Sequence, residues 1–347
     1  MSDAQSRLRG WSYERQRLGD RGRGADHHGA DTSASDANSA LRDMIGVHAA
    51  HPSAPLALWA RTPGFDAATY RGLDGVRLPA MRGAIHLLPR RTAHLLFRAL
   101  APLDANGPPD IEMPEQDYAR LRAAILEACA QPRTARELRD QTSTRYPLAP
   151  LLAGLTRDGS LMRVAPERLR SNELRYVVAD VPVAERAQAL AWLASEYLRA
   201  FGPARLEDFL WWSGADPGAA TSAWERVDTI AIEPGLRLRS EDAAAFKNAA
   251  PPANTVDLLP THDPYTSAYA PGGRGRFAEG VEDRVYGGDG DARPVVLVDG
   301  FAAGTWSGRS GSELEVEIEV ELFSAPGPDL RAALERRVGE MQALLRG

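Results

Sequence analysis

One cysteine and one lysine are all that the chain has of either residue. A single thiol, Cys129, excludes disulfides and cysteine-based metal sites within the chain, and its place in the helical pattern Leu121 to Cys129 reads as a small buried core residue. With Lys247 as the only lysine, nearly all positive charge sits on arginine, whose planar fork suits phosphate. A GC-rich genome produces the same bias without function. No stretch approaches the roughly 18 unbroken apolar residues of a membrane span, and the Arg-rich N-terminus lacks a signal peptide's apolar core. A cytoplasmic protein is expected. A P-loop, a Gly-x-Ser-x-Gly element and a dinucleotide fingerprint are all missing, so no cofactor is expected.

The 347 residues are 44% hydrophobic and 25% charged, which predicts a folded protein of two to four modules. A formal net charge of −6 argues against a generic nucleic-acid coat, but the charge is uneven. Arginines crowd the first 23 residues, whereas Glu313, Glu315, Glu317, Glu319 and Glu321 form an acidic ladder near the end. A local basic face is compatible with this distribution.

The periodicity predicts an α+β chain. A helix-like segment from Leu8 to Leu18 precedes a polar stretch, Gly19 to Ser39, that reads as a mobile loop. Short helices follow around Leu41, Leu56 to Trp59 and Ala67 to Leu73, then a strand-like segment centred on Arg82-Gly83 and a helix from Arg91 to Leu100. In the second module Leu148, Leu151, Leu152 and Leu155 mark a third helix at i, i+3, i+4, i+7 spacing. Asp158-Gly159 then begins a hairpin with strands Leu161 to Val164 and Arg175 to Ala179. Three helices closed by a hairpin is the winged-helix plan, and it returns less clearly from Ala189 to Leu238. Beyond Pro251 the pattern turns β-like and ends in a helix from Asp329 to Leu345. The expected architecture is tandem winged-helix domains over 1–112, 113–183 and 184–250, followed by a small β-barrel-like module over 251–347.

A winged helix presents its third helix to the major groove and its wing to phosphates. Arg157, Arg163, Arg168, Arg170 and Arg175 suit that role, and a solvated charged face accounts for them equally well. Gly272-Gly273-Arg274-Gly275-Arg276 reads either as a flexible basic hairpin tip that brings Arg274 and Arg276 into a groove or as a plain surface loop. His48 and His51 could share a helical face, but no third ligand has the spacing of a metal site, and Asp289-Gly290-Asp291 is too short for a calcium loop. No metal is expected.

Several stretches together resemble the AlkZ/YcaQ-type family of winged-helix DNA glycosylases. They are Gly46-Val47-His48-Ala49-Ala50-His51-Pro52, Ala80-Met81-Arg82-Gly83-Ala84-Ile85-His86-Leu87, Tyr197-Leu198-Arg199-Ala200-Phe201-Gly202-Pro203 and Trp211-Trp212-Ser213-Gly214. Leu258-Leu259-Pro260-Thr261-His262-Asp263-Pro264-Tyr265 and Val296-Leu297-Val298-Asp299-Gly300 continue the series in family order. The resemblance implies double-stranded DNA with alkylated purines as partner, monomeric action near the nucleoid, and monofunctional excision of bulky N7- or N3-alkylpurines or crosslinks. Such an activity could confer self-resistance to a genotoxic natural product. The family's Gln-hydrophobic-Gln motif, known also with His in first place, falls on His48, Ala49 and Ala50. His48 is therefore the implied catalytic residue, with His51 as a candidate substitute for the polar side chain that Ala50 lacks. Arg82 and His86 are expected to line the DNA channel. A noncatalytic DNA-binding protein, a regulator or a damage-recognition relative, is the alternative that Ala50 leaves open.

Overall fold

Residues 3–19, 30–49, 52–101, 112–164, 169, 173–310 and 316–346 are described by the computed structural model of the chain. An N-terminal helix, Asp3–Arg15, buries Trp11 and Tyr13. The following helix, Ala30–Asp43, corrects the second half of the loop expected from Gly19 to Ser39. Polar composition hides its stripe: Ala37, Ala40, Leu41 and Met44 are all buried and recur at i, i+3, i+4 and i+7. Residues 20–29 lie outside the described part.

Six short strands make one antiparallel sheet: β1 (Val47–His48), β2 (Gly75–Pro79), β3 (Ile85–Pro89), β4 (Arg133–Thr134), β5 (Leu161–Arg163) and β6 (Arg175–Val178). Their spatial order is β1-β3-β2-β5-β6-β4. The first hairpin thus continues directly into the second, joined where Arg77 of β2 stands opposite Arg163 of β5. β2 and β3 each carry four consecutive buried residues, the pattern of strands covered on both faces. The helices Ala30–Asp43 and Arg90–Leu100 pack against them.

Between these strands, helices Glu115–Ala128, Ala135–Thr142 and Leu148–Arg157 precede the β5–β6 hairpin, as the periodicity predicts. Thr134 and Glu137 cap the middle helix reciprocally. This unit has a core of its own, built on Leu121, Ile125, Leu138, Leu151, Leu155 and Tyr176, and Cys129 lies fully inside it. A second set of helices, Arg186–Phe201, Leu206–Ser213 and Pro217–Trp224, leads to a hairpin of β7 (Thr229–Glu233) and β8 (Leu236–Arg239). Tyr197, Phe201, Phe209, Trp212 and Trp224 fill its centre and are continuous with the main core.

The last sheet corrects the barrel expectation. Strands β9 (Val256–Leu259), β10 (Val295–Val298), β11 (Phe301–Ser310) and β12 (Val316–Leu322) run antiparallel in the order β12-β11-β10-β9, and among the described residues the two outer strands do not pair with each other. β12 alternates strictly: Glu317, Glu319 and Glu321 are exposed, while Ile318, Val320 and Leu322 face inward. The helix Pro328–Arg346 contacts β9 and β12 and covers the apolar face with Leu334, Met341 and Leu345.

Candidate active site

β1 reaches the site because Gly46 lets it approach β3 closely. A Cβ there would lie 2.6 Å from a methyl of Leu88 and 3.0 Å from the Leu87 carbonyl oxygen. The register then sets His48 opposite His86, which places both imidazoles on one face of the sheet. The turn joining β2 to β3 holds Arg82 in the left-handed region, at φ 52°. Gly214, also left-handed at φ 66°, ends the helix Leu206–Ser213 against that turn; a Cβ on it would stand 3.1 Å from the Arg82 Cα.

His262 arrives from the opposite end of the sequence. It precedes Asp263, which caps the short helix Pro264–Ser267 by accepting from the Tyr265 backbone N–H at 2.9 Å. Asp263 also forms a fork with Arg61, at 2.6 and 2.8 Å, and neither side chain has any solvent exposure. Arg61 spends further donors on the carbonyls of Gln16 and Ala57, both at 2.8 Å. This pair pins the segment around His262 to the N-terminal region, 202 residues away in sequence.

The result is a cavity of about 260 Å³ with His48, Arg82, His86, Trp212, His262, Ser267 and Asp291 among its lining. His48 stacks on His262 with ring centroids 4.3 Å apart and meets His86 edge-on at 5.3 Å. Asp291 lies 3.3 Å from the Arg82 guanidinium and 3.6 Å from Nδ1 of His262. Nδ1 of His86 is 2.9 Å from the Ala84 carbonyl oxygen, which can only accept, so Nδ1 carries the proton and Nε2 is left as an acceptor.

Burial, reinforced by the neighbouring His262, pulls the His48 pKa down to about 4 against the opposing pull of Asp291. Burial and the adjacent His48 take His86 down to about 3. Both imidazoles are neutral near pH 7. The unfolded chain takes up protons on these groups from about pH 6.5, while the folded chain does not until pH approaches their depressed values, so stability falls as pH falls through that window. Between about pH 7 and pH 5 the loss is expected to be about 2 kcal/mol per imidazole. Urea unfolding of His86→Gln at both pH values should show a clearly smaller acid loss than the unaltered chain. Equal losses in the two proteins would contradict the assignment.

Residues 41–344 match the family of AlkZ-like DNA glycosylases, most of the chain. The chain belongs to the AlkZ-like DNA glycosylase family. Among solved structures it is similar to the Streptomyces sahachiroi DNA glycosylase AlkZ, at 18% identity and a TM-score of 0.69, over 99% of this chain and 97% of that one. A search of curated proteins gave no match. At the level of the AlkZ-like family, the chain is a DNA glycosylase, a hydrolase of N-glycosyl bonds, with DNA as its substrate. No helix among its described residues is long and apolar enough to cross a membrane.

Of the residues that the AlkZ-like resemblance singles out, His48, Arg82 and His86 meet at this cavity. His51 and Ala50 lie outside the described residues. Arg157, at the end of its helix, is exposed, and Arg163 is half-buried with its guanidinium 5.9 Å from the Tyr176 ring; neither lines the cavity. Arg168 and Arg170 fall outside the described residues, and Arg175 pairs with Glu173.

The flexible basic tip expected at Gly272 to Arg276 is overturned. The segment forms a tight turn and a short helix, and both arginines are buried. Arg274 lies 3.6 Å from the Tyr286 ring centre and 5.3 Å from that of Trp211. Arg276 donates to the Gly273 and Pro203 carbonyls and to the Ser12 hydroxyl. Aromatic and carbonyl partners thus take up charges that glycine-rich flanks suggested were free. In the sequence His262 has only a place in the stretch Leu258 to Tyr265 and Asp291 only a place in a rejected calcium loop; tertiary packing brings both to the cavity.

Proposed function

We propose that this protein excises N7- or N3-alkylated purines, bulky adducts included, from double-stranded DNA by monofunctional hydrolysis of the N-glycosidic bond, acting as a monomer. The observation that carries the reading is a cavity lined by neutral imidazoles and a carboxylate, on the segment where the family's catalytic motif falls. An alkylated purine already bears positive charge and leaves readily, so the protein needs to place a water and favour an oxocarbenium-like sugar. Neutral imidazoles add no repulsion towards that cationic substrate. In this reading His48 accepts a hydrogen bond from the attacking water, and Arg82 and His86 shape the channel around it.

We read the two sets of three helices with a hairpin as winged helices, with the exposed Arg157 and with Arg163 and Arg175 of the β5–β6 hairpin on the phosphate-facing side. Lys247 ends a short helix, Ala243–Lys247, and is not among the cavity's lining residues, which favours water over an amine nucleophile.

Single-turnover incubation with duplexes carrying one N7-methylguanine, one bulky N7-guanine adduct or one interstrand crosslink tests the proposal. Strand breaks that form only after alkali treatment are expected, with no covalent complex trapped by borohydride. Intact DNA in every case, together with salt-sensitive binding, would leave a noncatalytic DNA-binding protein.

A further inference from the structure

The cavity has a single carboxylate among its described lining residues, Asp291, and it comes from a segment far from the family's catalytic motif. The turn that carries it is closed on itself: the Gly287 N–H donates to the Asp291 carbonyl at 3.0 Å, and the Asp291 N–H donates to the Asp289 carboxylate at 3.1 Å. Gly290, left-handed at φ 82°, lies against Trp211, where a Cβ would come within 3.2 Å of the ring. Arg274 fixes the same turn by donating to the Gly290 carbonyl at 3.0 Å. One carboxylate oxygen takes the Arg82 guanidinium at 3.3 Å, while the other stands 3.6 Å from His262, longer than a hydrogen bond.

A second observation comes from the same cavity. The Ser267 hydroxyl oxygen is shielded from solvent and has no hydrogen-bond partner among the described residues, so the cavity lining that holds the carboxylate also holds an unused polar atom. Resting on the glycosylase reading above, we propose that Asp291 is the catalytic base: it accepts the proton of the attacking water and faces the positive charge that develops on the sugar.

The step balances without any co-reactant. The water oxygen forms a bond to C1′ of the deoxyribose, and the bond from C1′ to the purine nitrogen breaks. Its electron pair goes to the cationic alkylpurine, which departs neutral. The proton lost by the water goes to the Asp291 carboxylate and returns to solvent afterwards. His48 is neutral and offers a lone pair but no negative charge. Asp291 supplies the charge complementary to an oxocarbenium-like transition state. In this reading Asp291 supplies, from another part of the chain, the second polar group that Ala50 cannot provide.

The test uses the full-length protein at saturating concentration on N7-methylguanine duplex, with Asp291→Asn, Asp291→Ala and Asp291→Glu. Asp291→Asn is expected to slow the saturated single-turnover rate on the order of 10²-fold, with the dissociation constant for the duplex and the melting temperature close to those of the unaltered protein. Asp291→Glu should recover part of the rate, and added formate should accelerate Asp291→Ala. A saturated rate for Asp291→Asn within about threefold of the unaltered protein, a loss carried by DNA affinity instead, or no response of Asp291→Ala to formate would overturn the assignment. Absence of excision by the unaltered protein would sink the glycosylase reading and this one with it. Excision retained by Asp291→Asn would sink this one alone.

Discussion

Replacing His48 with alanine is expected to slow single-turnover excision of an N7-alkylguanine by about 10²- to 10⁴-fold while leaving duplex affinity nearly unchanged. Affinity for DNA comes mostly from phosphate contacts spread over a wide surface, and a half-buried imidazole contributes little to that sum. The rate is another matter. His48 stands between His262 and His86, with its ring stacked on one and edge-on to the other, at the centre of the imidazoles that line the cavity. His48→Gln is expected to recover part of the lost rate, since an amide oxygen also accepts a hydrogen bond from water. Loss of DNA binding in parallel with rate would instead make His48 a structural residue. An unchanged rate would remove it from the chemistry.

Asp263→Ala is expected to destabilise the protein by about 3–5 kcal/mol, the cost of leaving a buried guanidinium without its partner. Arg61 has no exposure through which water could replace the carboxylate. The same change uncaps the helix Pro264–Ser267 and frees the segment that presents His262. Urea unfolding monitored by tryptophan fluorescence measures the loss. The double variant Arg61→Met with Asp263→Ala should fall well short of the sum of the two single changes, because it removes the unpaired charge along with its partner. Strict additivity would show that the fork is not the source of the effect.

The sequence was most informative where structure is local. Leu148, Leu151, Leu152 and Leu155 define a helix by spacing alone, and all four are buried in the unit they predict. The strict alternation of β12 reveals a strand with one wet face, and the helix expected from Asp329 to Leu345 is the one that covers the dry face; only the closure into a barrel is absent among the described residues. Polar residues around Ala37, Ala40 and Leu41 masked a helix, since a stripe of small residues contributes little to mean hydropathy.

The site divides in the same way. His48, Arg82 and His86 are legible because β1 and β3 pair within forty residues and the family motif falls on the first of them. His262 and Asp291 are not, because the short patterns that contain them carry no sign of which distant segment they meet, and packing delivers both to the cavity. Arg274 and Arg276 mislead for an electrostatic reason: the charge and glycines of the segment suggest exposure, while Tyr269, Tyr286 and Trp211 supply the rings that take the guanidinium groups inward.

The fork between Arg61 and Asp263 also bears on the protein's birth. During synthesis the guanidinium leaves the ribosome about two hundred residues before its carboxylate exists, so the N-terminal part cannot seal its interior until most of the chain has been made. The unit around Leu121 to Tyr176, whose core draws on its own residues, has no such dependence. A chain truncated before residue 263 lacks the carboxylate that neutralises the buried Arg61 guanidinium, so limited proteolysis of such a chain is expected to spare the middle unit and cut the N-terminal part first.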